Sequence, residues 1–255
     1  MSATSVSQPP SFAVTTSWDD GDAFDERLAE QLDRYGVKGT FYLPRIHRSR
    51  PLSRTAIRSL GERHEIGAHT LSHPDLRKLS RAEKKLEVGG SKDWLENWLG
   101  QDVLSFCYPF GHFDAETTAV VHECGFKVAR TVKQGQIAFS TNPLEMATTL
   151  HVYPMPFQKS GPHSYDWPQL FRPLRRRAPT FRRLGVPIHA FRSWEALAIV
   201  TFEIARAKGD VFHLWGHSWE IDKYDMWLPL ARVLDHIGGR ADCRYETNAA
   251  LAQKQ

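Results

Sequence analysis

Two carboxylates stand side by side in Trp18-Asp19-Asp20-Gly21, at the end of the apolar run Phe12–Ser17 and before a glycine turn. Adjacent like charges repel, so the pair marks either a helix N-terminus, where acids are favoured, or a site that uses them. His69-Thr70-Leu71-Ser72-His73 sets two imidazoles four residues apart on one side of a turn, a spacing that suits a transition metal. With a strand-end carboxylate they make a two-histidine, one-carboxylate set that leaves open positions for water and substrate. Tyr108-Pro109-Phe110-Gly111-His112 reads as a turn that aims a backbone N–H at an oxyanion, or equally as a plain tight loop. In His213-Leu214-Trp215-Gly216-His217-Ser218-Trp219-Glu220, strand alternation puts His213, Trp215 and His217 on one face, with His217 nearest the end of the strand.

These residues fall at the ends of short apolar runs that alternate with helical patterns. The runs Phe12–Ser17, Gly39–Leu43, Glu65–His69, Val103–Tyr108, Phe126–Val132, Thr149–Tyr153, Val211–Trp215 and Cys243–Glu246 read as strands. Between them, Phe24–Tyr35, Ala56–Leu60, Ser80–Leu99, Ala115–Glu123, Trp194–Ala207 and Met226–Ile237 carry helical spacing. Ser80 and Glu83 fit a capping box, and Gly89-Gly90 predicts a break in the long helix. Apolar strands alternating with helices predict a parallel α/β fold, most simply a barrel of seven or eight strands, with chemistry at the C-terminal strand ends.

The chain has 255 residues, 41% hydrophobic and 24% charged, which excludes a disordered or low-complexity protein. No glycine/serine linker divides it, so residues 1–255 read as one domain, interrupted by a proline- and arginine-rich insertion at about 156–192. The net charge of +4 is local to that insertion: seven arginines and no acid lie between Asp166 and Glu195, and the remainder is slightly acidic. A generally basic nucleic-acid binder is therefore not expected. No run approaches the ~18 apolar residues of a membrane span. Met1 to Ser11 has no basic start and no apolar stretch, and three scattered cysteines make no disulfide framework, so a cytoplasmic location is expected.

Taken in order, these motifs resemble the polysaccharide deacetylases with a NodB-homology domain, metal-dependent carbohydrate esterases on a distorted (β/α) barrel. The resemblance spans roughly Val14 to Trp219. Ser17-Trp18-Asp19-Asp20-Gly21 resembles the family's Thr-Phe-Asp-Asp-Gly, which implies Asp19 as general base and Asp20 as metal ligand. His69-Thr70-Leu71-Ser72-His73 matches His-(Ser/Thr)-x-x-His and implies two more ligands. The third motif departs: Cys107-Tyr108-Pro109-Phe110 stands where the family has Arg-x-Pro-Tyr, whose arginine holds the catalytic aspartate. Arg130 in Ala129-Arg130-Thr131 is the replacement suggested by the residues, its plainer reading being a salt-bridged barrel arginine. Asp166-Trp167 matches the fourth motif in letters only, and His217, in preference to His213, is similar to the fifth.

The resemblance implies hydrolysis of an N-acyl group, most simply N-acetyl, from an amino sugar. It implies one divalent ion, zinc before cobalt, nickel or manganese, held by Asp20, His69 and His73. Asp19 takes a proton from the attacking water, the Phe110 N–H serves the oxyanion, and His217 protonates the amine. Trp215 and Trp219 suit stacking on a sugar, as does Trp18 unless it belongs to the core. A lipid- or nucleotide-linked sugar is the substrate expected of a cytoplasmic enzyme, with Arg172–Arg183 offering contact to phosphate or an anionic membrane, or forming a solvated loop. The alternatives are a hydrolase of a non-sugar amide or cyclic ureide on this fold, a non-catalytic sugar-binding relative, and an interaction module built on the insertion.

Overall fold

The computed structural model describes residues 12–46, 50–156 and 172–253. Eight parallel strands form one curled sheet: β1 Phe12–Asp19, β2 Gly39–Leu43, β3 Glu65–Ala68, β4 Ser105–Cys107, β5 Val128–Arg130, β6 Leu150–His151, β7 Val211–Gly216 and β8 Cys243–Tyr245. Their order is β5-β4-β3-β2-β1-β7-β6, and β8 pairs with Phe12–Val14 of β1, just short of where β2 takes over at Thr16. All eight residues of β1 are buried, as expected of a parallel strand covered on both faces. Trp18 is among them, fully buried with its indole N–H on Thr16 Oγ1, so it belongs to the core and not to a sugar platform.

The ring is closed across β5 and β6 by little backbone. Arg130 bridges to Met146, the Thr131 and Met146 N–H groups bond across the gap at 2.8 Å each, and residues 133–136 run on beside Thr148 and Thr149. At the other end the barrel is plugged. Asn248 bonds Thr15, Thr40 and Tyr42 at 2.9–3.0 Å, while Glu65 accepts from Thr40, Ser105 and the N–H of Ala249.

The helices are α1 Phe24–Arg34, α2 Arg54–Arg63, α3 Arg81–Leu99, α4 Ala115–Glu123, α5 Arg172–Arg183, α6 Trp194–Lys208, α7 Ser218–Lys223 and α8 Trp227–Ile237 around the sheet, and α9 Asn248–Gln253, which begins in the plug. The Ser80/Glu83 capping box is present, but α3 does not break at Gly89-Gly90. Gly90 serves close approach instead, since a Cβ there would meet Leu71 Cδ1 at 2.9 Å. The described part of the insertion is helical and not irregular. α5 buries Phe181 and Arg177, with Leu174 and Ala178 partly covered, and leaves Arg175, Arg176, Arg182 and Arg183 in solvent. Asp166 and Trp167 lie outside the described residues. No described helix is long and apolar enough to cross a membrane.

Candidate active site

The C-terminal ends of the strands open into a cavity of about 380 Å3, lined by Asp19, Asp20, His69, His73, Tyr108, Phe110, Gly111, Val132, Gln134, His151, Trp215, His217 and Trp219. β1 delivers Asp19 and turns at Asp20, whose φ of 80° is followed by the left-handed Gly21. β3 delivers His69 and a loop in which Thr70 and His73 also have positive φ, at 69° and 57°. Phe110, at 58°, makes four of the five such non-glycine residues among those described, and each costs about 1–3 kcal/mol that the surroundings must overcome. For the histidine loop the surroundings are visible. Glu87 of α3 accepts from the N–H of Leu71 and of Ser72 and from the Ser72 hydroxyl, and Thr70 Oγ1 takes the His73 N–H at 2.9 Å.

Asp20, His69 and His73 come together as a set. The two Nε2 atoms are 3.0 Å apart, and Asp20 Oδ1 lies 3.8 Å from one and 3.7 Å from the other. His69 Nδ1 bonds the Cys107 carbonyl at 2.8 Å. A carbonyl only accepts, so Nδ1 carries the hydrogen and Nε2 presents its lone pair to the set. Burial pushes the His69 pKa down, which also keeps the ring neutral. Two imidazole nitrogens and a carboxylate oxygen this close together are the donor types that zinc, cobalt and nickel take, so the residues fit a divalent ion. Trp219 donates its indole N–H to Asp20 Oδ2 at 3.0 Å and so orients this carboxylate as well as lining the wall.

Asp19 is buried beside Arg130, whose guanidinium bonds Asp19 Oδ1. Burial alone would raise the Asp19 pKa, but Arg130, His69 and His217 overcome it and hold it at about 2. Cys107 and Arg130 are register partners on β4 and β5, so the guanidinium reaches Asp19 from one strand over. Cys107 Sγ sits 3.8 Å from Asp19 Oδ2, and burial pushes its pKa up, keeping it a thiol.

His217 stands just before the first residue of α7, with Nε2 4.0 Å from Asp20 Oδ2. Its Nδ1 bonds Glu220 Oε2 at 2.6 Å. Against burial, that carboxylate raises the His217 pKa to about 9, and Glu220 is itself held at about 2 by His151 and His217 against its own burial. His213 is set apart: it is buried against Ser17 Oγ at 2.8 Å, and burial and Arg130 lower its pKa to about 3. A ring that stays neutral and bonded inside the barrel is placed to support β1 and β7, while His217 faces the cavity. Trp215 is only 5% exposed, with His151 stacked on it at 3.9 Å and Arg130 at 4.5 Å from its ring centre, so little of its face is left for a sugar. Phe110 is half exposed; Gly111 and His112 spend their N–H groups on Tyr108 and Pro109, and the Phe110 N–H is in neither bond.

Sequence reasoning passed over His151, Glu220, Glu87 and Gln134, the last with a buried side-chain oxygen that has no partner. Glu220 was within reach, three residues past His217 at a helix start. Nothing local marks His151, which sits in a two-residue strand.

Residues 7–129 match the family model described as polysaccharide deacetylase. Chitin deacetylase 1 of Cryptococcus neoformans is 31% identical over 112 residues, 43% of this chain and 23% of that protein. YxkH of Bacillus subtilis, described as a polysaccharide deacetylase, is 24% identical over 133 residues, 50% of this chain and 47% of its own length. The match thus spans less than half the length of these curated relatives. Among solved structures, a Mycobacterium smegmatis protein assigned as a polysaccharide deacetylase superposes with TM-score 0.69 at 15% identity, over 98% of this chain and 92% of that one. The chitin deacetylase of Colletotrichum lindemuthianum gives 0.55 at 15% identity, over 94% and 86%. At that identity the structures establish a shared fold, over nearly the whole chain. The match over residues 7–129, just under half of the chain, makes it similar to the polysaccharide deacetylase family, and the shared fold extends over nearly all of it.

Proposed function

We propose that this protein is a single-domain hydrolase that removes an N-acyl group, in the first instance N-acetyl, from an amino sugar or sugar conjugate. The observation that carries the reading is one cavity that joins the Asp20/His69/His73 donor set to an ionised Asp19 on one side and a charged His217 on the other. A divalent ion in that set, zinc by preference, would polarise the acyl carbonyl and lower the pKa of a water toward ~7. Asp19, kept ionised by Arg130, takes the proton of the attacking water. The Phe110 N–H donates to the oxygen that gains charge. His217, doubly protonated and held through Nδ1 by Glu220, gives its Nε2 proton to the departing amine.

The family match supports a carbohydrate substrate, and a chitin deacetylase among the relatives supports an N-acetylated one. The exposed arginines of α5, which make no ion pair among the described residues, support contact with a phosphate on a linked sugar or with an anionic surface. Three free cysteines support a reducing compartment such as the cytoplasm. The test is metal analysis of dialysed wild type beside Asp20→Ala, His69→Ala and His73→Ala, with acetate release from N-acetylglucosamine oligomers. About one ion per chain and acetate release in the wild type only is the expected result. Absence of metal after reconstitution with zinc, cobalt or nickel overturns it.

A further inference from the structure

The cavity wall carries a second group with the same donors. His151, His217 and Glu220 each offer a ligand atom within 4.8 Å of the others. Pairing His217 with Glu220 for proton delivery explains two of them, but His151 is left over. Its Nε2 is buried and faces Glu220 Oε2 at 3.3 Å. Its ring is locked between Trp215, parallel at 3.9 Å, and Tyr153, at 5.3 Å. A ring held by packing, with its nitrogen toward a carboxylate that a second imidazole already meets, is a ligand set in waiting. Both histidines line the cavity, the side from which an ion would enter.

We propose that His151, Glu220 and His217 form a second site for zinc or a similar divalent ion, filled in excess metal, whose occupation withdraws the general acid and inhibits the enzyme. The proposal rests on the functional reading above. The entering ion takes the place of the proton between His217 Nδ1 and Glu220 Oε2. One proton leaves through the cavity, three coordinate bonds form, and no electrons change hands. His217 then keeps its Nε2 hydrogen as a neutral ligand and is no longer an imidazolium that can protonate an amine. The site is the weaker of the two. Arg177 of α5, buried and bonded to the Tyr153 carbonyl at 3.3 Å, adds its positive charge to this region, as does an ion held by Asp20, His69 and His73.

The test measures zinc bound at equilibrium dialysis, and the absorption of cobalt in its place, for wild type, Asp20→Ala, His151→Ala and the size-conserving Glu220→Gln. The wild type is expected to bind two ions in excess zinc, the second at least about 10-fold more weakly, and to lose acetate release by about 10²-fold or more as the second fills. His151→Ala and Glu220→Gln should each keep the first ion and lose the second, and Arg177→Met should tighten the second. Unchanged ion counts in both His151→Ala and Glu220→Gln overturn the proposal, as does a wild type that holds two ions at full rate. A single ion that survives Asp20→Ala and is lost in His151→Ala overturns the assignment of the first site and leaves this one standing.

Discussion

At His217 a single neighbour sets how many protons one imidazole carries. Glu220, ionised down to about 2, keeps the ring charged up to about 9 although burial opposes it. Glu220→Gln removes the charge but keeps the size, so the His217 pKa falls. An acid acts while protonated, so the basic limb of the kcat–pH profile should move to lower pH, and kcat should fall by ~10²-fold with KM little changed. A profile with an unmoved basic limb would show that His217 is not the proton donor. Asp19 depends on Arg130 in the opposite sense, since removing that guanidinium leaves a buried carboxylate without its partner. Arg130→Ala should destabilise the fold by about 3–5 kcal/mol in urea titration, with Arg130→Lys recovering part of it. The residue types at the strand ends marked the aspartate pair, the two histidines and His217 as candidates, while the division of roles between Asp19 and Asp20 came from the family resemblance. Glu220 was missed because carboxylates near a helix start are common for other reasons.

Among the elements, α3 carries the histidine loop as much as β3 does. Its Glu87 satisfies three donors of Leu71 and Ser72, and its Gly90 lets Leu71 lie against the helix. Glu87→Ala should therefore weaken metal binding by about 10–100-fold in competition with a chelator, with little loss of secondary structure. Gly90→Val, which drives a side chain into Leu71, should do the same. Here the limit of sequence reading is clear. The capping box that starts α3 is written within four residues and was legible, whereas Gly89-Gly90 looked like a break because the partner that needs the space is a loop far back in the chain. α5 shows the same limit: its prolines and arginines hid a stripe made by Leu174, Ala178 and Phe181.

Over the whole molecule, the parallel alternation was legible but the closure was not, because the plug and the bridge pair residues remote in sequence. Glu65, inside the plug, has its pKa raised above the ordinary 4.5 by burial, in spite of its hydrogen bonds. The folded state thus holds a proton that the unfolded chain releases. Its titration favours folding below about pH 4.5, and that contribution is lost as pH rises through the folded-state pKa. The advantage of wild type over Glu65→Ala in urea midpoint should accordingly be larger near pH 4 than near pH 7. An equal difference at both would mean that Glu65 titrates in the fold as it does in the unfolded chain.

The bridge between Arg130 and Met146 is held by two backbone hydrogen bonds, where β1 and β7 share a six-residue register. It is also where the partner of Asp19 is anchored. Amide hydrogen exchange should find this seam opening sooner than the sheet around β1, with Thr131 and Met146 exchanging well before Val14 or Leu214. Each opening loosens the strand that carries the guanidinium, so the lifetime of the competent enzyme on heating should follow the seam and not the core: a molecule that falls silent before it melts.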